Sequence, residues 1–421
     1  MIRPILFAVL CGTLHVQAEN WPQWRGVKND GISAETTKLP DSWSDTTNVV
    51  WKAKMPGPGA STPCVWGKHI FLTAVDGKDL VLLCLGTDGR EKWKRTIGAG
   101  NKAARGDEGN SASASCSTDG HHVYAFIGDG HLVAYDFDGK ETWAIDCAKR
   151  YGEFNIQFGA HWTPLLHAGK LYVCLLHRKA QLIVCIDAAN GEELWKATRK
   201  SDGTGESPDV YASPLLWQNS TEAQLVVHGN DYCTGHSLID GAEIWRVTEL
   251  NPKAKYNQHW RAVSSPLVTP ELIVVPSCKN GVTVGIDPRR AKGNIAPGDT
   301  KAGELWRIPR DTPDVPCPIL VDGTVFVWKE NSNLLAYDAK SGMETGNLKV
   351  TTERHRASPV SADGKLILVG REGTMATVKP AAEPELIAKM KLPDTFTASP
   401  AVANGRIYLR GWNYLYAIGT K

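Results

Sequence analysis

The stretch "NVVWKAK", residues 48–54, has the form of the last strand of a repeating unit, yet no unit stands ahead of it. Five later segments carry the same kind of strand: "REKWKRT" at 90, "KETWAID" at 140, "EELWKAT" at 192, "AEIWRVT" at 242 and "GELWRIP" at 303. Each of those closes a unit of roughly forty to fifty residues, a period that signals stacked supersecondary units. Trp51 follows only an apolar leader and a polar extension. A chain that opens on such a strand is expected to lend it to its other end.

A second signature recurs ahead of each Trp strand. It reads "STPCV" at 61, "WTPLL" at 162, "ASPLL" at 212, "SSPLV" at 264, "PCPIL" at 316, "ASPVS" at 357 and "ASPAV" at 398, with a proline-less "CSTDG" at 116, eight copies in all. From Pro164 the prolines advance by 50, 52, 52, 41 and 41 residues. Within a unit, short runs of Val, Ile, Phe and Tyr alternate with Gly/Asp/Asn turns, as in "CPILVDG", "TVFVWKE", "NLLAYDAKSG" and "METGNLK". That is a four-stranded meander, and no segment sustains a 3.6-residue apolar period. Eight such units predict an all-β, eight-bladed β-propeller over 48–421. The eighth unit, "ASPAVANGRIYLRGWNYLYAIGTK", supplies three strands and ends at Lys421. Residues 48–54 complete it and close the ring, leaving no open junction between first blade and last.

The repeat chemistry supports this reading. Small residues before each proline let eight inner strands converge on one axis, and a proline without an N–H is tolerated at their channel edge. Asp and Gly in turns such as "YDFDGKETW" cap amides and supply positive φ. Trp51, Trp93, Trp143, Trp195, Trp245 and Trp306 share one slot and can fill the gaps between blades, whereas Gly346 holds that slot in unit six.

An Ala-x-Asp-x-x-x-Gly-x-x-x-Trp repeat resembles the PQQ-like (quinoprotein alcohol dehydrogenase-like) eight-bladed propellers. The segment "WPQWRGVKNDGIS", residues 21–33, looks like the lead-in of their secreted members. Relatives include pyrroloquinoline quinone (PQQ) dehydrogenases and the propeller lipoprotein of outer-membrane β-barrel assembly. The resemblance implies either a binding or scaffold module or a PQQ-dependent alcohol or sugar oxidoreductase. The dehydrogenases close PQQ against an adjacent-Cys disulfide ring, hold Ca²⁺ with carboxylate and amide oxygens, and use an Asp base. None of these can be placed residue by residue here, so the expectation is a non-enzymatic module without cofactor, PQQ with Ca²⁺ belonging to the alternative.

Composition narrows the partners. The 47 Lys+Arg balance 45 Asp+Glu, which leaves no basic footprint for nucleic acid. Residues 1–18 read as an export signal: Arg3, the apolar run "ILFAVLCGTL", then Val16-Gln17-Ala18 before Glu19. Cys11 lacks the upstream residues of a lipid-attachment site. Residues 19–47 form an N-terminal extension, and the mature chain is expected to be a periplasmic or extracellular monomer whose partner is an envelope or extracellular protein or a small ligand. Of ten cysteines nine follow the signal; Cys64, Cys84, Cys185 and Cys317 occupy repeat slots held elsewhere by Leu, Val, Ala or Ser, so they read as small buried thiols. One pair, Cys174 with Cys185, would face across a hairpin turning symmetrically about residues 178–181.

The residues just ahead of the inner strands should ring one mouth of the channel. They are His161, Trp162, Tyr211, His259, Trp260, Arg261, His355, Arg356 and Phe396. Arg with aromatics suits an anionic or sugar-like ligand, and three His from three blades could hold a metal, although no metal is expected. The plainer alternative is that these side chains cap strand-end carbonyls around a wet funnel. The insertion 287–303 reads as a basic Gly/Pro-rich surface loop, and "RGDEGN", 105–110, as a charged one.

Overall fold

The computed structural model describes residues 19–102 and 109–420. The export signal, its Cys11 and most of the 105–110 loop lie outside the described residues. Among the described residues the strands form eight sheets, seven of four strands and one of five. Successive inner strands lie side by side around the axis, and the eighth returns to the first. The ring closes as the opening heptapeptide requires. Val49–Lys54 pairs antiparallel with Tyr414–Ile418, with Trp51 opposite Ala417 and Lys54 opposite Tyr414. Blade eight therefore takes its outer strand from one end of the chain and its three inner strands from the other.

The core is divided into layers at the blade junctions, the two that flank blade eight being continuous with each other, rather than gathered at a centre. Phe71, Leu82 and Cys84 of blade one meet Val123 and Ala125 of blade two, and Ile319 and Phe326 of blade six meet Leu366 and Leu368 of blade seven. The Trp slot fastens these layers. Trp51, Trp93, Trp143, Trp195 and Trp306 each donate an indole N–H to a turn carbonyl of the next blade, at 2.9, 2.9, 2.9, 3.2 and 2.9 Å. Each ring lies on that turn's glycine; a Cβ at Gly89 would sit 2.7 Å from Trp51, and one at Gly241 2.5 Å from Trp195. The glycine thus meets two demands, positive φ and room for the neighbour's indole. Trp245 faces the blade whose turn carries the insertion, and it donates instead to Gln224 of its own blade at 2.7 Å. At Gly346 the turn of blade seven occupies the space itself, with the Ala382 carbonyl 2.4 Å from where a Cβ would be.

A second fastening encircles the axis. One residue per blade, the one before the anchor proline where there is a proline, presents a hydroxyl (a thiol at Cys317). From Ser115 of blade two to Ser399 of blade eight it accepts the N–H of its counterpart in the preceding blade. The chain of contacts runs Thr62 to Ser115 (2.9 Å), Ser115 to Thr163 (3.0 Å), Thr163 to Ser213 (3.0 Å) and Ser213 to Ser265 (2.9 Å). It continues through the Cys317 sulfur (3.3 Å) to Ser358 (3.0 Å) and Ser399 (2.9 Å). Small size alone did not select these residues; an acceptor atom, oxygen or in blade six sulfur, was needed too.

Two segments differ from their sequence reading. The insertion 287–303 is not merely a loop. Gly293–Ile295 adds a parallel fifth strand outside Glu243–Val247 of blade four, and buried Ile295 packs into the layer between blades four and five. The extension 19–47 crosses the axis. Trp21 pairs with Val65 of blade one, the Pro22 carbonyl accepts from the Thr118 N–H of blade two, Arg25 donates to the Pro318 carbonyl of blade six, and Ile32 bridges to Ser361 of blade seven, whose carbonyl accepts the Ser33 N–H. Trp24 packs against the layer between blades four and five. These contacts fall just past the hydroxyl ring, so the extension stops one end of the channel.

All nine described cysteines are buried and unpaired. Seven sit in the interblade layers as small apolar groups, while Cys317 serves in the polar ring. Cys174 and Cys185 do not face one another. Arg178 and Lys179 make a two-residue turn, which places Cys174 opposite Ile183 and Cys185 opposite Tyr172. Burial pushes the thiols of Cys84, Cys147, Cys174 and Cys233 up to about 12, so few thiolates form at neutral pH. Ellman's reagent should therefore react slowly with the native chain from Glu19 onward and with nine thiols after denaturation without reductant. Mass-spectrometric detection of disulfides in that chain would refute the reading.

Candidate functional site

The stopped channel is a cup. Its cavity of about 240 Å³ has Trp24 of the extension at the floor, the hydroxyl ring around the wall and an open mouth formed by the loops that precede the inner strands. Strand alternation decides which loop residues reach it. His161, Tyr211 and Arg356 each stand two residues before a ring position, Arg261 stands four before, and all four line the cavity.

The other five expected residues lie outside it. Trp162, one residue before the ring, is fully buried and donates its indole N–H to the Val210 carbonyl at 2.7 Å. His355 and Phe396, three before, are core residues: His355 lies 3.9 Å from the Trp328 ring and contacts Ser332 Oγ at 2.9 Å, while Phe396 packs on Tyr416. Trp260, five before, lines a separate void of about 20 Å³ near His228 and Ser277. His259 projects into solvent, its side chain 72% exposed. The nine residues expected on one rim thus divide, four inside the cup and five outside it. The three histidines occupy three different environments and do not meet. Among the described residues no group of three His, Cys, Asp or Glu could hold a metal ion.

The mouth is braced by ion pairs. Arg261 Nη1 donates to Glu206 Oε2 at 2.6 Å, and its guanidinium lies 4.8 Å over the Phe158 ring. Arg356 Nη1 donates to Asp314 Oδ2 at 3.3 Å. The Phe158 N–H donates to Tyr211 Oη at 3.3 Å, and the Phe158 carbonyl sits 2.6 Å from His161 Nε2. Burial holds His161 below its ordinary value and raises Tyr211, so both are neutral at physiological pH. Asp231, with φ at 68°, ties the two loops of the Arg261–Glu206 pair together. It accepts from Ser207 Oγ on one side (2.6 Å) and from Tyr256 Oη on the other (2.7 Å).

Sequence reasoning missed Trp24, Phe158, Glu206, Asp314 and the ring hydroxyls. The last were legible, since a Ser or Thr precedes nearly every anchor proline. The others reach the cup from loops without strand alternation.

With the geometry in place, likeness to known proteins can be weighed. A family model described as outer membrane protein assembly factor BamB matches residues 42–211 and 128–376. The chain belongs to that family. The BamB of Yersinia pestis is 20% identical over 355 residues, covering 83% of this chain and 81% of that protein. Among solved structures, BamB from Moraxella catarrhalis superposes with a TM-score of 0.64 at 13% identity, covering 89% of this chain and 97% of its own. A europium-containing methanol dehydrogenase reaches 0.69 at 11% identity, covering 94% and 90%. At these identities the structural likeness shows the propeller fold alone.

The dehydrogenase likeness raises PQQ, and the residues present do not fit it. All nine described cysteines are free, so there is no disulfide platform. Among the described residues the cup's two arginines are each matched by a carboxylate, Arg261 by Glu206 and Arg356 by Asp314, with no surplus charge set against a multiply anionic quinone.

Proposed function

We propose that this chain is an exported BamB-family propeller that binds and positions an envelope protein, with the open mouth of the cup as its working surface. The observation that carries the reading is the family match over residues 42–376. Agreeing with it is a mouth that displays paired charges and aromatics on loops braced by Asp231, while the opposite end is stopped by the chain's own extension. Among the described residues no helix is long and apolar enough to cross a membrane. In this reading residues 1–18 direct export, residues 19–47 are the stopper, and residues 48–421 are the working ring.

Cross-linking the tagged chain in exporting cells tests this. An envelope protein should attach near the mouth, and Arg261→Ala with Arg356→Ala should weaken the attachment by about tenfold or more, as for loss of two interface anchors. Undiminished cross-linking in that double variant would place the working surface elsewhere. Purified protein incubated with PQQ and Ca²⁺ supplies the rival outcome. A stoichiometric quinone absorbance with dye reduction by alcohols would replace the scaffold with the dehydrogenase.

A further inference from the structure

We propose that the cup binds a small neutral polyhydroxylated ligand, a single hexose or the terminal sugar of a glycan. The inference rests on the mouth being the working surface and adds a ligand beneath it.

Size comes first. A cavity of about 240 Å³ is many times the ~10–15 Å³ of such space that one water needs, which gives room for a sugar ring and its hydration.

The wall chemistry comes next. In the hydroxyl ring, each oxygen from Ser115 to Ser399 accepts a neighbouring blade's N–H, which occupies a lone pair and leaves the O–H proton. Those O–H groups line the cavity, so its waist is a circle of donors with residual acceptor capacity. A polyol matches such a circle because every hydroxyl it carries both donates and accepts. An apolar ligand would leave these buried donors unsatisfied, which disfavours it.

Charge then separates a sugar from an anion. Arg261 with Glu206 and Arg356 with Asp314 amount to two cations and two carboxylates. A phosphate or a polycarboxylate would have to displace Glu206 or Asp314 from its partner and bury two like charges together. A neutral diol takes hydrogen bonds from a guanidinium and gives them to a carboxylate without breaking either pair. Finally, Trp24 at the floor and Tyr211 on the wall offer aromatic surface to the C–H face of a pyranose, while Phe158 backs the Arg261 guanidinium that would face the sugar's hydroxyls.

Titration calorimetry on the mature chain tests the proposal, with D-glucose, N-acetylglucosamine and maltotriose as probes and inorganic phosphate, citrate and PQQ with Ca²⁺ as controls. One-to-one saturable binding of a neutral sugar is expected. Asp314→Asn and Phe158→Ala should each weaken it about tenfold or more, equivalent to ~1.4 kcal/mol, with an unchanged circular dichroism spectrum showing that each variant folds. Comparable affinity for monosaccharide and trisaccharide identifies a free sugar; preference for maltotriose identifies a glycan end. Absence of saturable binding to every sugar at millimolar concentration, or binding of phosphate or citrate in their place, overturns the proposal. Either result leaves the cross-linking test of the scaffold intact. Stoichiometric PQQ binding sinks both readings together.

Discussion

Replacing residues 49–54 with a Gly/Ser segment of equal length is expected to abolish cooperative folding of the ring. The substitution keeps the extension tethered and removes only the strand, so the effect isolates ring closure. Five register pairs join Val49–Lys54 to Tyr414–Ile418. Net hydrogen-bond contributions of ~1 kcal/mol each make the ladder worth several kcal/mol. Trp51 adds the indole bond to Thr87 of blade one and contact with Tyr408 of blade eight. For this half-buried ring, truncation costs about 2 kcal/mol, below the ~3–5 of a fully buried Trp. Together these approach the ~5–15 kcal/mol that holds a typical folded domain together. The loss falls on a junction shared by both ends of the chain, which leaves blade eight three-stranded with an open edge. Thermal melts by circular dichroism should show no cooperative transition, or aggregation, for the linker variant, and a moderately lowered midpoint for Trp51→Ala. An unaltered melt for the linker variant would mean that closure contributes nothing.

The blades were legible because each carries its own signals: proline at the inner strand, Asp and Gly at the turn, Trp at the outer strand. Eight repetitions average out local ambiguity, and the unmatched strand at Trp51 then has one place to go. The site was legible only through alternation. His161, Tyr211, Arg261 and Arg356 share even offsets from the ring, and Trp162, His355 and Phe396 share odd ones. Position ahead of the inner strands groups all nine together, and His259, at an even offset of six yet exposed, lies beyond the reach of the alternation. The stopper was not legible. Arg25 reaches the Pro318 carbonyl across 293 residues of sequence, and no period or composition encodes such a pairing. Its turns at Arg25, Gly26 and Asn29, all at positive φ, announce an irregular segment without saying where it lies.

Acid should unfold this protein well before its carboxylates protonate, and the cause is a set of buried neutral histidines. His177, His228, His236 and His355 are each at most 2% exposed. Desolvation lowers the first three from 6.5 to about 4 and His355 to about 3. Arg199 adds to the effect on His228 and His236, and Lys179 to that on His177. Above pH 6.5 these groups are neutral in folded and unfolded chains alike, and they give stability no pH dependence. Below 6.5 the unfolded chain takes up protons that the folded chain refuses, so stability falls with pH until the folded values near 4 are reached. Each histidine weakens folding by up to ~1.4 kcal/mol per pH unit in that window. Four acting together can remove several kcal/mol, comparable with the ~5–15 kcal/mol available. At His177 the local contacts agree with the sign, while at His228, His236 and His355 burial outweighs backbone hydrogen bonds that act the other way. His177 Nδ1 faces the N–H groups of Lys179 at 3.3 Å and Asn155 at 3.5 Å, so a proton there would meet two donors. Urea midpoints followed by tryptophan fluorescence should be nearly flat from pH 8 to 7, then fall steeply from 6.5 to 4. His355→Gln should fold less stably at pH 7, having lost its packing against Trp328, yet show a shallower fall across the same window. A urea midpoint at pH 4.5 equal to that at pH 7 would show that these side chains do not carry the acid response.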